Sequence, residues 1–178
     1  MIELGSSAPD FSLTSLDSAT VSLPRAGEAS AVLVAFICNH CPYVRHVEDG
    51  LAALGQEYAE RGVAVFGICS NDAEAYPDDG PEGLRAQVER ASFTFPYLID
   101  ATQEVARCYG AVCTPDFFAL DGDLRLAYRG QMDSSRPRGD EPVTGADLRA
   151  ALDALLAGQP APTDQRPSVG CSIKWKPG

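Results

Sequence analysis

The sequence predicts a single α/β domain, residues 1–178, built on a central mixed β-sheet. Two continuous apolar runs, Ala31–Ile37 and Val63–Cys69, lack polar alternation and are typical of strands that are covered on both faces. Between them, residues 44–61 place apolar side chains at helical spacing, and Gly62 marks the end of the helix. Strand, helix and strand in this order predict a right-handed βαβ unit with parallel strands.

The elements around this unit follow from short apolar runs and turn residues. Residues 10–24 hold two apolar runs that flank a polar turn, which predicts an N-terminal hairpin. Residues 71–81 are rich in Asp, Pro and Gly and predict a loop. Next, the sequence predicts a helix over Glu82–Ala91 and an extended segment over Tyr97–Asp100. A short helix capped by Thr102 is predicted over residues 102–109, and a hairpin that turns at Asp121-Gly122-Asp123 over residues 116–129.

The C-terminal part is predicted to be one helix and a docked tail. We expect the helix over residues 144–157, with Thr144 and Asp147 in a capping-box arrangement. Residues 159–178 hold several prolines and predict irregular structure. Because this tail still contains the apolar side chains of Ile173 and Trp175, we expect it to pack on the domain.

Charge and composition argue against several classes of partner. The chain has 14 Lys and Arg residues against 25 Asp and Glu, a net charge of −11, which opposes binding to phosphate backbones and anionic membranes. Its longest apolar run is far shorter than the roughly 20 residues that span a bilayer, and the N-terminus lacks the pattern of a signal peptide. We therefore expect a cytoplasmic protein, with no nucleic-acid or membrane partner, whose six cysteines are mostly free thiols.

The segment Cys38-Asn39-His40-Cys41-Pro42 lies where the first buried strand meets its helix, and α/β folds place their sites at such strand ends. Pro42 suits the first helical position because it has no N–H, and this makes Cys41 the N-cap. There the sulfur faces free N–H groups and the positive end of the helix dipole, which favour the thiolate. We predict that Cys41 is the nucleophile and that Cys38 resolves, forming a Cys38–Cys41 disulfide without a cofactor.

A metal site is the alternative interpretation of the same segment. The only two histidines of the chain lie within it or just after it. Four side chains then offer ligands for zinc or copper(I): Cys38, His40, Cys41 and His46. In the redox interpretation, His40 instead tunes the pKa of the thiol.

Four motifs carry a resemblance that spans the chain: Ala8-Pro9-Asp10-Phe11, the stretch from Phe36 to Tyr43, Thr114-Pro115-Asp116-Phe117-Phe118 and the stretch from Gly170 to Trp175. With the order of elements, they resemble the alkyl hydroperoxide reductase/thiol-specific antioxidant branch of the thioredoxin superfamily, in a peroxiredoxin-like subgroup. The resemblance implies a thioredoxin-like fold and thiol–disulfide oxidoreductase or antioxidant-type chemistry. It also implies protein or small-molecule disulfides and thiols as substrates, and a reductant such as thioredoxin.

The register of the resemblance separates two kinds of enzyme. In thioredoxins the attacking cysteine follows the terminal aromatic residue of the strand by five positions, and counting from Phe36 gives Cys41, with Val44 in the place of the second cysteine. Peroxiredoxins carry their reactive cysteine in a Pro-x-x-x-Thr/Ser-x-x-Cys pattern, which neither Cys38 nor Cys41 satisfies. A peroxiredoxin-like peroxide reductase is the alternative enzyme.

Thr114-Pro115 resembles the cis-proline loop that faces the active cysteine in thioredoxin folds. A cis bond would leave the backbone of Thr114 free to pair with a bound substrate strand, so both residues are predicted to bind substrate.

Cys69 and Cys171 have two interpretations each. Cys69 is either close to the reactive pair or a buried inert residue, and Cys113 lies near the active edge. Cys108 is interpreted as structural. Cys171, in the tail, is either a distant resolving thiol, as in some peroxiredoxin relatives, or a buried residue. Asp116 either shuttles a proton or caps its loop.

Overall fold

The fold is described from a computed structural model that covers residues 2–178. Its elements, in chain order, are β1 Ser12–Ser15, β2 Thr20–Ser22, β3 Ala31–Phe36, α1 Pro42–Glu60, β4 Val63–Cys69, a 3₁₀ turn Pro77–Asp79, α2 Pro81–Ala91, β5 Tyr97–Ile99, α3 Glu104–Tyr109, β6 Cys113–Thr114, β7 Asp116–Asp121, β8 Leu126–Gly130, α4 Ala146–Leu156 and β9 Cys171–Ser172. Across residues 2–178, none of the helices combines the length and the apolar character needed to cross a bilayer.

Seven of the strands form one sheet in the order β2-β1-β5-β4-β3-β7-β8. β3 pairs in parallel with β4 and antiparallel with β7, while β5 is parallel to β4 and antiparallel to β1. Every residue of β3 is buried, because an apolar cluster packs on each face of the sheet. The predicted mixed sheet, N-terminal hairpin and parallel βαβ unit are confirmed.

Helix α1 carries the segment with the paired cysteines, and its ends are fixed by the residues that the sequence indicates. Cys41 is the N-cap, with extended backbone angles, and Pro42 is the first helical residue. One face of the helix is buried against the sheet, including Leu51, Leu54 and Tyr58, and each buried leucine contributes about 1.5–3 kcal/mol. Just past the helix, Gly62 has a φ of +92°, which glycine adopts without the strain of a side chain.

The start of α4 differs from the predicted capping box. The N-cap is Gly145, with a φ of +69°, and the helix begins at Ala146. A buried carboxylate satisfies the local donors, since Asp133 accepts hydrogen bonds from the N–H of Thr144 at 2.8 Å and of Gly145 at 2.6 Å. Asp147 instead accepts from the side chain of Gln131. The capping-box prediction is wrong because a residue distant in sequence takes the cap's role.

Two other predictions need correction at element boundaries. Helix α3 has Gln103, not Thr102, as its N-cap residue, and the buried side chain of Gln103 donates to the carbonyl oxygens of Ser70 and Lys174. The predicted loop over residues 71–81 contains a 3₁₀ turn that buries Asp79. Both corrections arise from tertiary contacts that local sequence does not encode.

The tail reaches back over the carboxyl end of the sheet. Its strand β9 pairs antiparallel with β6, with Cys171 opposite Thr114 and Ser172 opposite Cys113. Ile173 is buried in the apolar cluster beneath, and the guanidinium of Arg107 lies 4.5 Å from the ring centre of Trp175. The tail therefore lies beside the turn that leads into α1.

Candidate active site

The connection from β3 to α1 buries two thiols beside each other. Cys38 lies just after the strand and Cys41 caps the helix, and their exposed fractions are 1% and 0%. The two sulfurs lie close enough that each shifts the pKa of the other. The position of Cys41 follows from Pro42, which starts the helix one residue later.

Thr114 faces this pair from the opposite loop and contacts both sulfurs. Its hydroxyl is hydrogen bonded to the Sγ of Cys38 at 3.3 Å, and its carbonyl oxygen accepts from the Sγ of Cys41 at 3.2 Å. The peptide bond between Thr114 and Pro115 is cis. The structure thus brings together the four residues that the sequence singles out as the reactive pair and the substrate-binding loop.

The surroundings of the site shift the pKa values of Cys41 and Cys38 in opposite directions. The pKa of Cys41 is lowered, first by the hydrogen bond from Cys38, then by the thiol of Cys171 and the backbone N–H groups of Val44 and Cys171, against the effect of burial. Cys41 forms no regular side-chain cap hydrogen bond, and the contribution of the helix to the lowered pKa comes from the backbone N–H of Val44. The contact with the carbonyl of Thr114 favours the protonated thiol of Cys41, but the two thiols and the two backbone N–H groups favour the thiolate.

Cys38 is affected in the opposite direction. Its pKa is raised by the hydrogen bond to Cys41, by burial and by the negative charge of Asp79, and the hydroxyl of Thr114 offsets this only in part. The proton that the two sulfurs share therefore stays on Cys38. This leaves Cys41 as the thiolate of the pair.

Asp79 is a functional residue that the sequence analysis missed. It is buried, and its carboxylate accepts hydrogen bonds from the backbone N–H of Asn39 at 2.8 Å, from that of His40 at 3.1 Å and from the side chain of Asn71 at 2.8 Å. It thereby holds the turn that carries Cys38 and places a negative charge near that sulfur. No sequence signal marks it, because Asp in a loop rich in Asp, Pro and Gly is expected at the surface.

The ring of His40 is directed towards Asp79. Its Nδ1 pairs with the carboxylate of Asp79, and its ring stacks on Tyr76 with 5.4 Å between ring centres. Within residues 2–178, the donor atoms that come together as a candidate metal set are those of Cys38, His40 and Asp79, within 4.8 Å of one another. Tuning of the pair by His40 stays a prediction, and in this arrangement it would act through Asp79.

The structure does not bring His46 into the predicted four-ligand metal set. The Nε2 of His46 is hydrogen bonded to the hydroxyl of Ser135 at 3.0 Å. The candidate set replaces His46 and Cys41 with the carboxylate of Asp79. All three of its members are already hydrogen bonded within the protein.

Two further cysteines are buried near the site, and a third is exposed away from it. Cys69 and Cys113 are buried, and burial raises the pKa of each to about 12, so both are held as thiols. The sulfur of Cys69 lies 3.9 Å from the carbonyl oxygen of Asp79. Cys108 is exposed on α3, and this exposure contradicts its interpretation as a structural residue.

Cys171 is adjacent to the pair, although it lies 130 positions from Cys41 in sequence. Its backbone pairs with Thr114, whose carbonyl oxygen contacts the sulfur of Cys41, and its thiol contributes to the lowered pKa of Cys41. Burial, followed by the contact with Cys41, raises the pKa of Cys171 to about 11. The site therefore gathers three cysteines around Thr114, which the sequence spacing does not indicate.

Asp116 supports the loop from behind. Its buried carboxylate accepts hydrogen bonds from the hydroxyl of Ser168 at 2.8 Å and the backbone N–H of Val112 at 3.4 Å. Burial raises its pKa. These contacts fit the interpretation of Asp116 as a loop cap and tie the tail to the loop.

The sheet order, the cysteine pair at the start of α1 and the cis-proline loop opposite it define a thioredoxin-fold protein. The model of the AhpC/TSA family matches residues 4–129. The chain therefore belongs to the AhpC/TSA family.

Comparisons with individual proteins agree with the fold. A crystal structure of an uncharacterized conserved protein from Geobacillus kaustophilus is 52% identical, with a TM-score of 0.95 over 100% of this chain and 95% of that one. The thioredoxin domain of a thiol-disulfide oxidoreductase from Bacteroides vulgatus gives a TM-score of 0.62 at 19% identity, over 84% of this chain and 97% of that one. The predicted thioredoxin-like fold is confirmed.

Sequence similarity also reaches a curated enzyme. The thiol-disulfide oxidoreductase ResA of Bacillus thuringiensis subsp. konkukian is 23% identical over 125 residues, which are 70% of this chain and 68% of ResA.

Proposed function

We propose that the chain is a thiol–disulfide oxidoreductase in which Cys41 attacks and Cys38 resolves. The observation that carries the proposal is the buried pair of thiols at the start of α1, with Cys41 at the N-cap and the cis-proline loop facing both sulfurs. The lowered pKa of Cys41 and the raised pKa of Cys38 support the same roles. An attacking sulfur must be a thiolate, and a resolving sulfur can remain protonated until the mixed disulfide has formed. The similarity to ResA, whose name states this activity, supports the same class.

The reaction runs through two exchanges. The Cys41 thiolate attacks one sulfur of a disulfide RSSR, so that a Cys41–S–S–R bond forms and RS⁻ leaves. Cys38 then loses its proton and attacks the sulfur of Cys41, which forms the Cys38–Cys41 disulfide and expels the second RS⁻. Of the two departing thiolates, one takes up the proton that Cys38 has lost and the other takes up a proton from solvent, and the reverse sequence reduces the protein.

The surroundings of the pair suggest how substrates are held. Thr114 and Pro115 are proposed to bind substrate beside both sulfurs. Because β9 pairs with the backbone of Thr114, an extended polypeptide substrate must displace the tail to use that edge. Protein or small-molecule disulfides are the proposed substrates, with a dithiol protein such as thioredoxin as reductant. We further propose that residues 1–178, tail included, work as one domain in the reducing cytoplasm, where free thiols persist.

The test is disulfide mapping of the full chain after equilibration in glutathione redox buffers, together with an insulin-reduction assay. We expect a reversible Cys38–Cys41 disulfide and an activity that Cys41→Ser reduces to background. The matched control, Cys108→Ser, changes an exposed cysteine outside the cluster and should keep full activity.

Three outcomes would contradict the proposal. Both cysteines could stay open to alkylation after mild oxidation. The reduced protein could hold stoichiometric zinc or copper that blocks alkylation of Cys38, which would favour the metal interpretation. Hydrogen peroxide could oxidise Cys41 much faster than disulfides do, with turnover by thioredoxin, which would favour the peroxidase.

A further inference from the structure

The tail occupies the backbone edge at which the proposed function would seat a substrate strand. β9 pairs with β6, so that Cys171 lies opposite Thr114. The N–H of Ile173 continues the pairing by donating to the carbonyl oxygen of Val112 at 3.2 Å. The chain thus supplies its own strand at the edge next to the reactive pair, and that strand carries a cysteine.

This approach depends on a glycine. A Cβ on Gly170 would lie 2.0 Å from the carbonyl oxygen of Thr114, which is far inside van der Waals contact. Only glycine therefore allows the backbone before Cys171 to come this close. The close approach positions the thiol of Cys171 against the sulfur of Cys41.

The tail is also fixed on its far side. The N–H of Lys174 donates to the side-chain oxygen of Asn71 at 2.9 Å, and the carbonyl oxygen of Lys174 accepts from Gln103 at 2.9 Å and from the N–H of Asp72 at 2.8 Å. Asn71 in turn donates to Asp79, so the tail joins the same network that holds the turn with Cys38. The tail is thus an integral part of the site.

Accessibility differs sharply among the three sulfur-bearing residues. Cys38 and Cys41 are 1% and 0% exposed, whereas Cys171 is partly exposed. A thiol in solution therefore reaches Cys171 more readily than the pair behind it.

We propose that Cys171 is a third redox-active thiol, through which the buried pair exchanges electrons with small thiols in solution. This inference rests on the proposed function of Cys41. The geometry points to small partners because β9 already fills the edge that an extended polypeptide would need. Cys171 is then a catalytic residue, since its sulfur takes part in the exchange.

Each step balances with the disulfides already named. In the oxidised protein, Cys171 loses a proton and attacks the sulfur of Cys41, so that the Cys41–Cys171 bond forms, the Cys38–Cys41 bond breaks and Cys38 takes up the proton. A thiolate from solution then attacks the sulfur of Cys171 and expels the Cys41 thiolate. A second thiol releases Cys171, and the two solution thiols leave as their disulfide.

The choice of leaving group favours attack from solution at Cys171 once the internal exchange, which expels Cys38, has formed the Cys41–Cys171 disulfide. Disulfide exchange is faster when the departing sulfur has the lower pKa, and among the three sulfurs that is Cys41. Attack at Cys171 expels Cys41, whereas attack at Cys41 would expel one of the two sulfurs with a raised pKa. The solvent-facing sulfur is thus also the favourable one to attack.

The first experiment traps the internal disulfide. Cys38→Ser in the full chain removes the competing partner of Cys41, and the protein is oxidised with glutathione disulfide and mapped by mass spectrometry without reduction. We expect an intramolecular Cys41–Cys171 disulfide. A protein that carries only glutathione on Cys41, or disulfides between chains, would overturn the proposal.

The second experiment measures the route. Wild type, Cys171→Ser and the control Cys108→Ser are oxidised to the Cys38–Cys41 disulfide, and their reduction by glutathione is followed. We expect roughly tenfold slower reduction in Cys171→Ser only, because the internal exchange is lost. Equal or faster reduction in this variant would mean that the tail only shields the pair from solvent, and it would overturn the proposal.

The two proposals fail in different ways. If Cys38–Cys41 forms and is reduced equally fast without Cys171, the proposed function stands and the third thiol does not. If Cys41 forms no disulfide with either cysteine, the proposed function is itself overturned, and the role of Cys171 with it. Circular dichroism of each variant shows that loss of folding is not the cause.

Discussion

The start of helix α1 and the tail strand β9 each bring a cysteine to the same place, but they stabilise opposite protonation states. The pKa of Cys41 is lowered by hydrogen-bond donors that converge on its sulfur. The pKa of Cys171 is raised to about 11, because burial removes water and the contact with Cys41 uses its proton. The two side chains are chemically identical, so the difference shows that donor geometry sets the reactivity of each sulfur.

The largest expected effect comes from separating the two regions. Gly170→Ala places a Cβ 2.0 Å from the carbonyl oxygen of Thr114, so β9 must leave its position. We expect a loss of about 1–3 kcal/mol in the free energy of unfolding, as for overpacked sites. Alkylation of Cys41 at neutral pH should become much faster because its cover is gone.

Gly178→Ala is the matched control for this change, since a Cβ there meets nothing within 4 Å. Iodoacetamide labelling with peptide mapping measures both variants. If Gly170→Ala labels Cys41 no faster than Gly178→Ala does, the tail does not seal the pair, and the contrast in accessibility between the two regions is lost.

A smaller effect is expected from the charge behind the turn. Asp79→Asn keeps the shape of the side chain but removes the negative charge that raises the pKa of Cys38. It also sets an amide against the donors of His40 and Asn71, which should cost about 1–3 kcal/mol of stability. We expect the pKa of Cys38 to fall and the division within the pair to narrow.

The ultraviolet absorbance of the thiolates against pH measures this change. Asp78→Asn, on the exposed neighbouring residue, is the control and should leave the titration as it is in the wild type. An unchanged titration in Asp79→Asn would remove Asp79 from the electrostatics of the site and leave it a purely structural role.

The smallest effect is a pair of opposite pH dependences. A lowered pKa means that Cys41 stabilises the fold above its ordinary value of 9.0 and that this stabilisation declines as the pH falls towards the lowered pKa. The raised pKa of Cys171 means that its contribution is complete below 9.0 and is lost as the pH rises towards about 11.

Urea unfolding of wild type, Cys41→Ser and Cys171→Ser across pH separates the two contributions. The stability difference between wild type and Cys41→Ser should grow with rising pH below 9.0, and the difference for Cys171→Ser should shrink above it. Slopes of the same sign in both variants would contradict the assignment of opposite protonation states.

The sequence predicts the half of the site that local rules govern. The apolar run Ala31–Ile37 and the helical spacing after it indicate the strand and helix, and Pro42 identifies Cys41 as the N-cap. The resemblance of Thr114-Pro115 to a cis-proline loop identifies the facing segment. These features need only periodicity, a turn residue and a short motif.

The other half depends on contacts between distant segments. Asp79 binds the turn from a loop 40 positions away, and β9 pairs through only two residues, too few for a periodic signal. The cap of α4 is missed for the same reason, because Asp133 lies outside the local window. Burial changes the pKa and the hydrogen bonding of an aspartate or a cysteine, and the residues of a loop do not by themselves indicate that the loop is buried.

Thr114 meets the two sulfurs through oxygen atoms of different character. Its hydroxyl, on Cys38, can donate or accept by rotating, whereas its carbonyl, on Cys41, can only accept. A proton that moves from one sulfur to the other must therefore change the strength of the hydrogen bond that this carbonyl accepts. The stretching frequency of an isotope-labelled Thr114 carbonyl would then report the position of a single hydrogen atom inside the protein.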